Sequence, residues 1–190
     1  MRVSVLSGPE VAALLTGLEK CSTRDQLLIR LMLQCGLRVG EVSALNVEHV
    51  WRGGYVHPAI NLVQATTKGH KARFVDIPGP VVQLIQDYIL QLFVGDSSPP
   101  PSSPLFVGLK RGDRLGVSGI GRIVTAISIA ALGRSIHPHV LRHTYATILL
   151  KYTNIKVIQQ LLGHANLATT EIYLHPNSED CKTAVNQAFN

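Results

Sequence analysis

The sequence lacks several features that mark whole classes of protein. No apolar run approaches the ~20 residues that a membrane-spanning helix requires. The first residues, MRVSVLSGPE, contain no apolar segment typical of a signal peptide. Its cysteines, Cys21, Cys35 and Cys181, are widely spaced, odd in number and without a CxxC pair, which argues against disulfides and zinc. We therefore expect a cytoplasmic protein with no membrane partner.

The sequence also lacks the motifs of two common kinds of phosphate chemistry. No GxxxxGK[ST] loop occurs, so the chain has no P-loop for a nucleoside triphosphate. The carboxylates show no clustering of the kind that two-metal nucleases require. We accordingly expect no metal and no cofactor.

What is present is an ordinary globular composition with a basic balance. The chain has 190 residues, 46% of them hydrophobic and 16% charged, so it can bury a sizeable core in one domain. Its 18 Lys and Arg outnumber 12 Asp and Glu, for a formal charge of +6. Such an excess favours a polyanionic partner, although many unrelated proteins share it.

Hydrophobic periodicity predicts a mostly helical protein with one small sheet. Ser7 to Glu10 has the form of a capping box, and apolar residues follow it at helical spacing. Between residues 50 and 78, β-branched segments flank Lys68-Gly69-His70, a pattern typical of a hairpin. The predicted strands lie near His49–Tyr55, Ala59–Thr66 and Arg73–Ile77. The predicted helices are Val11–Leu18, Asp25–Cys35, Val39–Leu45, Pro80–Phe93, Val117–Leu132, Pro138–Leu150, Ile155–Leu162, Leu167–Leu174 and Ser178–Phe189. The proline- and serine-rich segment Gly95–Pro104 is predicted to be an exposed, extended loop.

The segment HPHVLRH, residues 137 to 143, carries the most chemistry. At about 100° per residue, a helix places His139, Arg142 and His143 in one sector beside an apolar stripe. That stripe consists of Leu141, Tyr145 and Ile148. An arginine fork and a histidine together suit a phosphoryl group, while a solvated surface helix is the simpler interpretation of this segment alone. Zinc at the two histidines is disfavoured because the arginine between them would repel the metal.

Three further segments carry residues of related chemistry. Arg38 follows a predicted helix end in GLRVGE, and Glu41 lies one turn later. Lys68 lies at the predicted hairpin tip in TKG. His164 ends a helix in LLGH, and Tyr173 follows it nine residues later. Each segment alone has an ordinary structural explanation.

Taken in order, GLRVGE, TKG, HPHVLRHTYAT and LLGHANLATTEIY resemble the catalytic domain of tyrosine recombinases, the phage-integrase and Xer class. The resemblance runs from about Ser7 to Asp180. It implies a mainly α (α+β) fold, a helical bundle with a small antiparallel three-stranded sheet. It also implies double-stranded DNA as the partner, a homotetramer on DNA that is a monomer without it, and no small-molecule substrate.

The resemblance further implies how the scissile phosphate would be held. Arg38 and Arg142 match the two arginines that clamp this phosphate and stabilise its developing charge. His164 matches a second histidine, hydrogen-bonded to the phosphate. Glu41 matches an acidic residue that holds Arg38 in place, with a supporting role.

The resemblance implies three more roles, in proton and strand transfer. Tyr173 matches the nucleophile that forms a 3′-phosphotyrosyl link, Lys68 the lysine that protonates the leaving 5′ oxygen, and His139 a proton-transfer partner. A phenol with a pKa near ~10 needs a cationic surround or a base to attack at neutral pH. Two arginines, a lysine and two histidines supply both without a metal.

Full-length members of this family usually carry an N-terminal helical domain that closes around DNA. Because the pattern begins almost at Met1, we expect residues 1–190 to be a single catalytic domain without that core-binding domain. The chain is then either an excised fragment or a short recombinase of the fimbrial-inversion type. The tail Ser178–Asn190 is long enough for a short helix that packs in cis or on a neighbouring subunit.

Two other functions remain open from the sequence. A catalytically inactive DNA-binding module would keep the fold, although every expected catalytic position is filled. An enzyme like the type IB topoisomerases would share the chemistry and need no second site. The DNA sequence recognised is not predictable, because phosphate contacts carry no direct sequence information. Basic residues that could face DNA, or simply be solvated, are Lys71, Arg73, Lys110, Arg111, Arg114 and Arg122.

Overall fold

The computed structural model describes residues 4–62, 73–93, 97–108 and 113–162. In this part of the chain, helices dominate and the strands are short. The helices are α1 (Gly8–Leu18), α2 (Thr23–Gln34), α3 (Val39–Ala44), α4 (Gly79–Gln91), α5 (Val117–Leu132), α6 (Pro138–Leu149) and α7 (Ile155–Leu162). The strands are β1 (Trp51–Arg52), β2 (Tyr55–Val56), β3 (Ala59–Leu62) and β4 (Arg73–Asp76).

The helix ends follow local sequence signals. Ser7 caps α1, and the Glu10 carboxylate accepts the Ser7 backbone N–H at 2.8 Å, which confirms the predicted capping box. Ser22 caps α2, which begins at Thr23, two residues before the predicted start at Asp25. Gly36 adopts a φ of 67° just after α2, and a β-carbon there would overlap the ring of Tyr145. A glycine is therefore required where α2 meets α6.

The sheet differs from the predicted three-stranded arrangement. A short 3₁₀ turn occupies Val47–His49, and β1 and β2 form a hairpin of their own within the region predicted as one strand. Gly53 and Gly54 adopt φ values of 61° and 88° and so reverse the chain there. β3 pairs antiparallel with β4, Ile60 lying opposite Val75. The described residues thus form two two-stranded sheets.

The helices enclose one main hydrophobic core. α2 lies in the middle, packed against α3, α4 and α6, while α1 packs along α5. Leu27, Leu28, Leu31 and Met32 of α2 are completely buried, as a central helix requires. A smaller cluster of Ala146, Ile158 and Leu162 joins α6 to α7, and α7 also contacts β4. These contacts bring β4, α3, α6 and the end of α7 together.

The proline- and serine-rich segment is a loop where it is described, although it is not fully extended, because the Ser103 N–H donates to the Pro100 carbonyl at 2.9 Å and closes a turn. Residues 97–104 contain no helix, and most of their side chains are exposed, as predicted. The Val47 and Glu48 N–H groups donate to the carbonyls of Ser103 and Pro101 at 3.0 and 2.9 Å. The loop is therefore anchored on the turn that precedes β1.

Some predicted elements lie outside the described residues. They are the end of the strand Ala59–Thr66, the hairpin tip at Lys68, and the helices Leu167–Leu174 and Ser178–Phe189. Among the helices that are described, the longest has 16 residues, and none is long and apolar enough to cross a bilayer.

Candidate active site

The centre of the candidate site is the carboxylate of Glu41. Glu41 is the third residue of α3 and is only 3% exposed. Its Oε2 accepts the backbone N–H of Arg38 at 2.7 Å, and its Oε1 accepts Nη1 of the same residue at 3.0 Å. A carboxylate in the first turn stabilises the start of the helix. Glu41 thus orders the backbone and the side chain of Arg38 together, the contact that the sequence predicted.

A second arginine binds Glu41 more closely than Arg38 does. Arg73 Nη1 and Nη2 lie 2.7 and 2.9 Å from the two carboxylate oxygens, a bidentate pair. The interpretation of Arg73 as a solvated basic residue is wrong, because its side chain is only 6% exposed. The sequence did contain an indication that Arg73 is buried. Strand alternation places Arg73 and Val75 on one face, and Phe74 and Asp76 on the other.

Arg142 is the third arginine of the site, and it is buried rather than solvated. It is 4% exposed, so the interpretation of this segment as a solvated surface helix is wrong at this residue. Its Nη1 donates to the Gly36 carbonyl and lies 3.7 Å from Glu41 Oε2. Its Nη2 donates to the Leu162 carbonyl at 2.7 Å. The apolar stripe is also less uniform than predicted, since Leu141 is buried whereas Ile148 is 36% exposed.

Three histidines line the first turns of α6. His137 precedes the helix and accepts the His139 backbone N–H on its Nδ1 at 3.4 Å, a capping role that the sequence analysis missed. The rings of His137 and His139 stack with their centroids 5.2 Å apart, and the ring of His143 lies 6.3 Å from that of His139. The side chain of His139 remains exposed, so the first turn of α6 presents imidazole at the surface beside buried Arg142.

The electrostatics of the site favour an ionised Glu41 and a neutral His139. Burial raises the pKa of Glu41, but the hydrogen bonds and positive charge of Arg73, with smaller contributions from Arg38 and Arg142, hold that pKa below its usual range. Partial burial, followed by the neighbouring His137 and the charges of Arg142 and Arg38, lowers the pKa of His139. At neutral pH the site therefore combines a carboxylate, three guanidinium groups and an imidazole able to accept a proton.

Replacing Glu41 with glutamine should destabilise the fold strongly. The substitution removes the negative charge that two buried guanidinium groups, those of Arg73 and Arg142, contact. Breaking a buried ion pair in this way costs about 3–5 kcal/mol, which urea unfolding followed by circular dichroism will measure. Glu10→Gln is the matched control: it breaks the exposed pair with Arg134 and keeps a residue suited to the capping box. A loss for Glu41→Gln no larger than that of the control would contradict the buried network.

Lowering the pH should destabilise the protein through His139 and His143. Partial burial is the largest cause of the lowered pKa of both rings, and neighbouring charged groups lower it further. Above the unfolded pKa of about 6.5 both states are neutral, and below it the unfolded state binds protons first, so stability falls as the pH drops. The free energy of unfolding at pH 7 and pH 5 should therefore differ less in a His139→Gln, His143→Gln double variant. Equal differences in the two proteins would show that these rings titrate normally.

The remaining predicted site residues, Lys68, His164 and Tyr173, lie outside the described residues. The structure therefore brings together Arg38, Glu41, His139 and Arg142 of the seven positions. Within the described ranges no group of three or more histidine, cysteine or acidic side chains is arranged to hold a metal ion.

The other basic residues have different surroundings. Lys71, Lys110 and Arg111 lie outside the described ranges. Arg114 is exposed, yet its guanidinium donates to the carbonyls of Ser43 and Leu45 at 2.9 Å. Together with Arg24 and exposed Arg122, it lines a cleft of about 530 Å³ at the start of α5. This cleft gathers three arginines on one surface.

Comparison with known proteins places this arrangement in one family. The tyrosine recombinase XerC of Pseudomonas fluorescens is 36% identical over 153 residues, which cover 80% of this chain and 48% of the relative. The crystal structure of XerA recombinase superposes on the whole chain with a TM-score of 0.79 and 31% identity, covering 66% of that protein. The XerH recombinase bound to its difH substrate shares the fold, with a TM-score of 0.73 and 23% identity over all of this chain and 55% of the other.

These similarities confirm the predicted fold class and the resemblance seen in the motifs. The chain spans about half the length of the curated relatives it matches, 48% in the case of XerC. The model of the phage integrase family matches residues 4–180, a range that contains every predicted site residue. The chain belongs to the phage integrase family.

Proposed function

We propose that this chain is the catalytic part of a site-specific DNA recombinase, which cleaves and rejoins DNA strands through a covalent 3′-phosphotyrosyl intermediate. Residues 1–190 would form one catalytic domain. Double-stranded DNA would be the substrate, and the active assembly on two DNA sites would be a homotetramer in the cytoplasm. XerH, which has the same fold, is described as bound to its difH substrate.

The observation that carries the proposal is the arginine network around Glu41. One buried carboxylate contacts Arg38, Arg73 and Arg142, so the cluster has an excess of two positive charges. Arg38 keeps 22% of its side chain exposed, and His139 is exposed nearby. Preorganised cations at the edge of a buried cluster suit a phosphodiester, since they stabilise charge that develops on its oxygens.

In the proposed cleavage step, the Tyr173 hydroxyl oxygen attacks the scissile phosphorus. A bond from this oxygen to phosphorus forms, and the bond to the 5′ oxygen breaks. His139 takes part in transfer of the tyrosine proton, and Lys68 donates a proton to the leaving 5′ oxygen. Arg38, Arg142 and His164 hold the non-bridging oxygens. The phosphotyrosyl bond conserves the energy of the broken bond, so rejoining by reversal needs no nucleoside triphosphate.

Covalent capture on DNA tests this proposal directly. Nicked duplexes with a randomised core are incubated with the protein and denatured, and the DNA that stays linked to protein is sequenced. We expect adducts enriched for one sequence motif. The nick lets the short cleaved strand diffuse away, so the linked state accumulates.

Other outcomes would favour the alternative functions. Adducts without a common motif, together with relaxation of plasmids that lack any such motif, would indicate an enzyme like the type IB topoisomerases. DNA binding with no adduct on any duplex would indicate an inactive DNA-binding module. Either outcome would overturn the recombinase proposal.

A further inference from the structure

Arg73 uses its whole guanidinium group for contacts within the protein. Its two terminal nitrogens bind both oxygens of Glu41, at 2.7 and 2.9 Å. Its third nitrogen, Nε, donates to the carbonyl of Leu161 at 3.1 Å. All three guanidinium nitrogens of a buried side chain are thus engaged by two elements, α3 and α7, that are far apart in the sequence.

The end of α7 is the second part of this arrangement. The last carbonyls of a helix lack intrahelical partners and carry partial negative charge. Arg73 binds the Leu161 carbonyl, and Arg142 binds the Leu162 carbonyl at 2.7 Å. Two guanidinium groups, one from β4 and one from α6, therefore hold consecutive carbonyls of α7. The sequence continues from there through Gly163 to His164 and Tyr173.

We propose that Arg73 is a positioning residue for DNA cleavage. It joins Glu41 and the carboxyl end of α7 into one unit with Arg142, so that the chain leaves α7 toward His164 and Tyr173 from a defined point beside the phosphate clamp. This inference rests on the proposed function, because it assumes that Tyr173 attacks the phosphate that Arg38 and Arg142 bind. Arg73 itself touches no reacting atom in this scheme.

The geometry explains why an arginine occupies this position. A guanidinium group presents donors in a rigid plane, which matches the two oxygens of a carboxylate and leaves Nε for a third acceptor. A lysine ammonium is a compact charge on a flexible stem and cannot reproduce the planar fork. Arg73→Lys therefore keeps the positive charge near Glu41 and loses the link between Glu41 and Leu161.

The test compares Arg73→Gln and Arg73→Lys with the wild type on a nicked duplex isolated by covalent capture. Single-turnover adduct formation is measured across protein concentrations, which separates the saturated rate from the half-saturating concentration. We expect the saturated rate to fall about 100-fold for Arg73→Gln and about 10-fold for Arg73→Lys, by analogy with the loss of residues that orient the ligands of a metal site. The half-saturating concentration should stay within about threefold. Arg134→Gln, whose one ion pair among the described residues is the exposed one with Glu10, should match the wild type.

Three results would overturn the proposal. An unchanged saturated rate in both Arg73 variants would show that the contacts with Glu41 and Leu161 are not needed for cleavage. A large rise in the half-saturating concentration at a normal saturated rate would make Arg73 a DNA-binding residue. Full activity of Arg73→Lys would show that charge alone is sufficient. If Arg73→Gln does not fold, the saturated rate and the half-saturating concentration of Arg73→Lys alone test the proposal.

Hydrogen exchange separates this inference from the proposed function. Measured without DNA, amides of Ile155–Leu162 should exchange at least tenfold faster in Arg73→Lys than in the wild type, while those of α2 keep their protection. If the wild type forms no adduct on any duplex, the recombinase proposal fails independently of this result. Exchange in α7 that stays the same in Arg73→Lys would then refute the proposed link between Glu41 and the end of α7. Faster exchange confined to α7 would support that link.

Discussion

Tyr173→Phe should form no detectable covalent adduct with DNA while binding DNA as tightly as the wild type does. The substitution removes one oxygen, the atom that would bond to phosphorus, and keeps the aromatic ring. In the proposed mechanism no other group replaces that oxygen. The measurement is denaturing gel electrophoresis of protein and nicked duplex after covalent capture, with binding followed in parallel by fluorescence anisotropy.

Matched tyrosines make this result specific. Tyr152 is 81% exposed, so Tyr152→Phe removes an accessible phenol and should leave capture unchanged. Tyr145 packs over Gly36, and burial raises the pKa of its hydroxyl, which makes it a poor nucleophile. Capture that persists in Tyr173→Phe and disappears in Tyr152→Phe or in Tyr145→Phe would assign the nucleophile to another residue.

Replacing either clamp arginine should slow cleavage by about 100–1,000-fold, since losing one donor to the transition state costs about 3–4 kcal/mol. Arg38→Ala removes a partly exposed guanidinium group and should leave most of the stability. Arg142→Ala also removes the donors to the Gly36 and Leu162 carbonyls, so it should cost stability as well. The two variants should therefore be similarly slow but differ in their unfolding midpoints.

The cleavage rates of these variants must be measured under conditions in which each variant is folded. Circular dichroism establishes the folded fraction, and single-turnover adduct formation at saturating protein then reports cleavage alone. Arg134→Ala serves as the control, because Arg134 pairs only with Glu10 among the described residues, on an exposed surface. Near-normal rates for both Arg38→Ala and Arg142→Ala would refute the phosphate clamp.

Local patterns in the sequence predicted the helices up to Leu162 well, because their ends depend on neighbouring residues. The capping box at Ser7, the left-handed Gly36 and the period of α5 involve interactions within a few positions. The strand predicted near His49–Tyr55 was wrong for a local reason too, since Gly53-Gly54 forms a turn signal. That glycine pair indicates two short strands joined by a turn, in place of one strand.

Contacts within the candidate site could be predicted where residues lie close in the sequence, and could not where they lie far apart. Arg38 and Glu41 are three positions apart, and their contact follows from one helical turn. Arg73 lies 32 positions from Glu41, and a basic residue at a strand end gives no indication of which partner it meets. Alternation along β4 indicates that Arg73 faces inward, without revealing what it binds.

The family, the order of the described helices and the residue types suited to a phosphate follow from the sequence alone, since they depend on motifs and local spacing. The contacts of one buried carboxylate with three arginines, two of which hold the end of α7, are visible only in the folded chain. The physical reason is that a buried charge takes its partner from whatever element packs beside it. That neighbour is set by how the helices and strands enclose the core.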